Sequence, residues 1–209
     1  MPVSRDPQKY YFRAPDKEKI KAFLWWLITG SSVFSVFYGG ANRLCLDNDR
    51  AFRLYFDIEL SVPFIPEMIY FYVSVIVLIY LPLFRLKLSD LELVCQRILL
   101  ATVISGIVFY MLPTSPAYMR PESAKSFSVL FKYLYAVDNP CNLFPSLHIS
   151  YSSLLVLSLV KDSPILVKVG LICWLVLIYI SVIVTYQHHL VDIAGGIFVT
   201  WLCHRLIRP

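Results

Sequence analysis

Apolar residues run along this chain in long blocks separated by short polar stretches. They show neither the strict alternation of a half-buried strand nor the narrow stripe of a surface helix. Six blocks are predicted as spans, over 22–41, 67–84, 97–112, 147–160, 166–186 and 189–207. A membrane span needs about 20 residues, or a few less where its ends are polar, so 147–160 is the shortest of the set. In lipid every backbone polar group needs a partner within the protein. Each block is therefore predicted as a helix, and nothing alternates like a barrel strand. The expected fold is all-α, an integral membrane six-helix bundle, with one domain over 22–209 behind a polar segment 1–21. No internal repeat or low-complexity tract divides it.

Composition agrees. The chain is 58% hydrophobic and 16% charged, with a mean hydropathy of +0.65, whereas soluble domains carry about 25% charged residues. The net charge of +5 sits mostly in the N-terminal segment. That placement fits a cytoplasmic membrane flank better than a nucleic-acid surface, so the bilayer is an expected partner and nucleic acid is not. Residues 1–21 lack the apolar stretch of a cleavable signal, and the first span is expected to act as an uncleaved anchor.

Lys and Arg near the span ends set the expected sidedness. Arg5, Lys9, Arg13, Lys17, Lys19 and Lys21 put the N-terminal segment in the cytoplasm. Arg85, Lys87 and Arg97, then Lys161 and Lys168, then Arg205 and Arg208 fall on the same side, with the C-terminus. Segments 43–66 and 113–146 are then external, periplasmic in a bacterial inner membrane or lumenal in a eukaryotic endomembrane. Residues 51–58 read equally well as an interfacial amphipathic segment and as a plain connector.

Candidate chemistry gathers on that external face. Of four histidines, three lie in two short stretches, Pro145-Ser146-Leu147-His148 and Gln187-His188-His189-Leu190-Val191-Asp192. Such groups are costly at a membrane boundary unless paired or wet, which marks them as functional candidates. His188 and Asp192 are four residues apart, hence on one helix face. The carboxylate can hold one ring nitrogen and leave the other nucleophilic. His148, from another helix, can protonate a leaving alkoxide. Arg120 offers a planar fork for phosphate oxygens. Ser146 and the start of its helix offer further donors. These groups form a set for phosphoryl transfer on a lipid phosphate without metal or cofactor.

Plainer readings stand beside these. Two or three histidines with a carboxylate are also usual zinc ligands, though no spacing here is diagnostic. Ser146 can cap its helix and face phosphate as well. His189 divides evenly between structure and substrate contact. His204 reads as a packing residue, and Gly195-Gly196 as a point of close helix approach. The Trp25-Trp26 pair reads as an interfacial anchor. The five cysteines show no metal spacing. Cys45 and Cys141 share the expected external side, where two free thiols are favoured over a disulfide.

At these residues the chain resembles the type 2 phosphatidic acid phosphatase superfamily. Its pattern has three parts: Lys-x6-Arg-Pro, Pro-Ser-Gly-His and Ser-Arg-x5-His-x3-Asp. Here they read as Arg120-Pro121, Pro145-Ser146-Leu147-His148, and Ser181 with His188 and Asp192 at the family spacing. The resemblance implies a phosphohistidine intermediate, with His188 as nucleophile, Asp192 as its partner and His148 as acid. Three departures stand out. Pro113 replaces the family lysine, Val182 the arginine and Leu147 the glycine. Lys125, Lys132, Gln187 or His189 are the candidates to replace the missing ligands. The altered pattern looks closer to the branch that includes inositol phosphorylceramide synthases, whose members pass a phosphoryl headgroup to a lipid alcohol. Three readings follow: a lipid phosphatase, such a transferase, or an inactive relative used for binding or transport. Ser146, Arg120, Gln187 and His189 are the expected substrate contacts.

Overall fold

The structure, a computed structural model, describes residues 14–44 and 51–209, without the side chains of Ser123, Lys125 and Ser126. It is 74% helix with no strand among the described residues. We number the helices α1 Lys17–Leu44, α2 Pro66–Arg85, α3 Leu88–Met111, α4 Glu122–Phe127, α5 Val129–Val137, α6 Leu147–Val160, α7 Ile165–Val184 and α8 Leu190–Leu206. Asp16 caps α1 by accepting from Lys19 N at 2.8 Å. A π-helical stretch, Ser35–Gly39, interrupts α1 near its far end.

Each predicted span has a helix, but four of them, α1, α2, α3 and α7, are long and apolar enough by themselves to cross a membrane. The α6 and α8 helices have 14 and 17 residues, so helix length and composition alone do not establish six spans. The reason for α6 is visible in its packing. It contacts α2, α3, α7 and α8, so protein surrounds it. Leu154, Leu155, Val156 and Leu159 make the main core with Leu78, Val94 and Ile178. Its buried Ser150, Ser152 and Ser153 donate back to carbonyls of Ser146, His148 and Ile149, which satisfies their hydroxyls without water.

The α3 helix begins nine residues before the predicted start at Arg97. Charges at Asp90 and Glu92 hide its periodicity, yet Leu91 and Val94 lie on the core face. Arg97 itself is buried and donates through Nε and a terminal nitrogen to Ile207 O at 3.1 and 2.9 Å. It thereby caps the C-terminal end of α8, where a cation is favoured. At the opposite end of the bundle, α4 and α5 fold over the helix tips. Phe131 on α5 is fully buried against Ile69, Tyr72, Ile149 and Val182.

Candidate active site

The site is built where α6 and α8 begin. Ser146 caps α6, its hydroxyl accepting from Ile149 N at 3.4 Å, while its own N–H donates to Asp192 O at 3.1 Å. This backbone bond ties the two helix starts together. Close approach is possible because residue 196 is glycine. A Cβ there would lie 2.7 Å from Ser146 O and 2.8 Å from Ile149 Cβ. Gly195 is packed likewise against Phe144 and Pro145.

The turn from α7 into α8 aims His188. Gln187 N and His188 N both donate to Val182 O, at 3.0 and 2.9 Å. Val182 thus serves through its carbonyl, while its side chain is fully buried. Tyr186 has a φ of 59°, a left-handed conformation that costs a bulky residue about 1–3 kcal/mol. Its ring lies flat on Tyr118, 4.2 Å away at 4°, and its hydroxyl donates to Val62 O at 2.9 Å. These contacts hold the turn in place.

His188 Nδ1 lies 3.3 Å from Asp192 Oδ2, and that oxygen also accepts from His189 N at 2.8 Å. Asp192 is 1% exposed. A carboxylate at Nδ1 selects the Nδ1–H tautomer and leaves Nε2 as the basic nitrogen. The His148 and His188 rings are 6.1 Å apart, centre to centre. His148 stacks on Tyr72 at 4.0 Å, which fixes its plane. The pair and His148 of α6 therefore meet, but not from one helix face as the spacing predicted. The α8 helix begins at Leu190, so His188 stands in the turn before it, and Asp192, in the first turn of α8, bonds back to its ring.

The other sequence candidates divide. Arg120 borders a small void of about 20 Å³ with Gln187 and His188, room for about one water. It donates to Asp138 O at 2.8 Å and lies 4.6 Å over the Tyr135 ring. Gln187 donates its Nε2 to Thr185 O at 2.8 Å. Ser146 is fully buried as a cap. His189 has partners at both ring nitrogens: Ala117 N–H donates to Nε2 at 3.1 Å, and Nδ1 meets Glu59 Oε2 at 3.0 Å. Structural bonding thus occupies the ring of His189. Lys132 is exposed on α5, and the Lys125 side chain lies outside the described set, as does the Cys45–Cys141 question through Cys45. Among the described residues no three His, Cys, Asp or Glu side chains gather as a metal-ligand set.

Several residues at the site carried no sequence motif. Glu59, 1% exposed, accepts from Phe56 N, Leu190 N and the His189 ring at 2.8, 3.0 and 3.0 Å. It pins segment 51–66 to the start of α8. Tyr118 stacks on His189 and donates to Glu59 O at 3.0 Å, and burial pushes its phenol up to about 12. Asp138 accepts from Tyr38 Oη at 2.6 Å and Asn42 Nδ2 at 3.2 Å. Its carboxyl is held above the ordinary range by desolvation, against the opposing pull of Tyr38, Arg120 and His188. A cavity of about 630 Å³ opens beside it, bordered by His148, Tyr72, Asp138, Asn42 and Arg43. The only sequence hint was position: Asn42 and Arg43 follow directly on the first predicted span.

An all-helical, membrane-type bundle with a histidine–carboxylate pair facing a second histidine describes a class of protein. The match to known families then names it. The chain belongs to the PAP2 superfamily, whose model matches residues 42–206. Membership brings an integral membrane protein of phosphatase or phosphotransferase type. No curated protein and no solved structure matches the chain.

Proposed function

We propose that this protein hydrolyses a lipid phosphate ester through a phosphohistidine on His188. The observation that carries the reading is the Asp192-held His188 facing His148 across 6.1 Å. In the first step His188 Nε2 attacks phosphorus in line. The bond to the lipid oxygen breaks, and protonated His148 gives its proton to that leaving oxygen. In the second step water attacks phosphorus, His148 takes its proton, and the nitrogen–phosphorus bond breaks. Asp192 keeps the His188 tautomer and balances its charge. Arg120 and Gln187 line the small void beside His188 and are the groups we assign to the transferring oxygens. Arg43 lines the larger cavity with His148 and is a further cation on that face.

A second reading keeps the same first step and delivers the phosphoryl group to a lipid alcohol. It is favoured by the about 630 Å³ cavity with Asn42, Asp138 and Asn139 at its His148 end, which offers hydroxyl-binding groups beside the histidines. In both readings α6 and α8 complete a six-span bundle, and the histidine end faces the periplasm or lumen.

The experiment is a lipid-phosphate panel with purified protein, with and without acceptor alcohols, in EDTA. Free phosphate indicates hydrolysis, and a new phospholipid indicates transfer. Labelled phosphate trapped on His188 supports the shared step. An active protein that carries no label there, or that loses activity to EDTA and regains it with zinc, overturns the mechanism. A protein inactive on every lipid overturns the enzyme reading in favour of a binding role.

A further inference from the structure

We infer that the substrate's hydrocarbon chain lies in a track along α1, and that the second part of this track, where Gly30 and Ser31 form its wall, sets the chain length that fits. The inference rests on the lipid-phosphate reading above and adds where the apolar part goes.

Two cavities join to make the track. The larger, at His148, continues into a second of about 330 Å³ that reaches Phe23, Trp26 and Leu91. Phe34, Ser35, Ile79 and Tyr151 line both, so the two are contiguous. Their ends differ in chemistry. Asn42, Asp138 and Asn139 stand at the His148 end, whereas none of the residues lining the far cavity is charged. One end suits a headgroup and the other a hydrocarbon. Along α1 the lining runs from Phe23 to Arg43, about 30 Å at 1.5 Å per residue. That equals the hydrocarbon thickness of a bilayer, about 30 Å. A chain held by its phosphate at His148 enters the second cavity near Ser35 and passes the middle of that length before it reaches Gly30, about 20 Å along α1 from Arg43.

The glycines of α1 differ in what surrounds them. Gly40 is needed for packing, since a Cβ there would collide with the Tyr110 hydroxyl of α3. Gly30 and Gly39 line the track, and a Cβ at either meets nothing within 4 Å, so a side chain placed there would enter the track. Gly170 of α7 has equal space but lines neither cavity.

Gly30→Leu puts a branched side chain into the second cavity; a Cβ at residue 30 meets nothing within 4 Å, and a thermal melt in detergent checks that the variant folds like the wild type. Gly170→Leu is the control, because Gly170 is exposed on α7 with equal space around it. Two alkyl phosphates serve as probes, one ending within a leaflet and one long enough to cross the midplane. Gly30→Leu should lower turnover of the long probe relative to the short by about tenfold or more, as overfilling a packed space does. Gly170→Leu should leave the ratio unchanged. A long alkyl phosphate with a terminal photoreactive diazirine adds a readout that needs no turnover. Its adducts should map to residues 23–31 of α1 or the facing turns of α3, and Gly30→Leu should remove them. An unchanged turnover ratio, adducts elsewhere, or α1 adducts that persist in Gly30→Leu as passive bilayer lipid would give, overturns the track. If neither probe is turned over, the enzymatic reading loses support, while the adduct map still decides the track.

Discussion

Gly196→Ala tests whether the contact between α6 and α8 sets the catalytic geometry. The added methyl would lie 2.7 Å from Ser146 O and 2.8 Å from Ile149 Cβ. Ordinary contact begins at about 3.4 Å, so the helices must separate by roughly half an ångström or more. Neither neighbour can swing aside, because one is backbone and the other is the first carbon of a buried side chain. Ser146 also donates to Asp192 O and caps the helix that carries His148. The separation therefore shifts His148 away from His188. Overpacking of this kind costs about 1–3 kcal/mol, or roughly 2–4 °C of melting temperature per kcal/mol in a chain of this size. A displacement approaching 1 Å costs up to about 100-fold in turnover. The assay pairs a thermal melt in detergent with kcat on the best substrate of the lipid panel. Gly170→Ala is the control, expected to be neutral or slightly stabilising by helix propensity. Wild-type melting and wild-type kcat in Gly196→Ala would refute the argument that this glycine holds the site together.

Other outcomes are expected. Glu59→Gln turns an amide N–H toward either Phe56 N–H or the His189–Leu190 donors. An unmet buried donor costs about 1–3 kcal/mol, so the melt should fall while exposed Asp57→Asn leaves it unchanged; equal melts would remove Glu59 from the framework. His188→Ala should keep the fold and lose turnover by on the order of 10⁴ or more, and His148→Ala by about 10²–10⁴; near-normal rates in either would sink the mechanism. Asp138 has a folded pKa raised by desolvation, so the folded state binds more protons between the unfolded value and the raised one. Its contribution to stability therefore falls as pH rises through that window and is level above it. Asp138→Asn still accepts from Tyr38 and should gain stability relative to wild type as pH rises from about 4; a constant offset in melting temperature across pH would contradict this.

Much of the site was legible because it is local. The four-residue spacing of His188 and Asp192 pointed to the pair, although α8 begins only at Leu190 and His188 lies before it, and three motif parts in order were enough to reach the superfamily. Gly195-Gly196 was read as a packing point, and the structure shows which atoms approach. The rest depended on contacts between distant segments. His189 was divided between substrate and structure until Glu59, 130 residues earlier in the chain, took one ring nitrogen. Asp138 had no motif, and its meaning comes from Tyr38 and Asn42, 100 and 96 residues away. The start of α3 was missed because charged residues alternate with its core positions.

Sequence by itself therefore determined a helix at each of the six apolar blocks, the apolar character and the spacing of nucleophile and carboxylate, because each is a property of neighbouring residues; the helices α4 and α5 of segment 113–146 were not legible in it. Tertiary structure alone decided that His148 faces His188, that Glu59 and Asp138 join the site, and that an open track runs along α1. Those depend on which helix faces meet and how closely. Burial, glycine contacts and long-range hydrogen bonds settle that, and no local pattern records it.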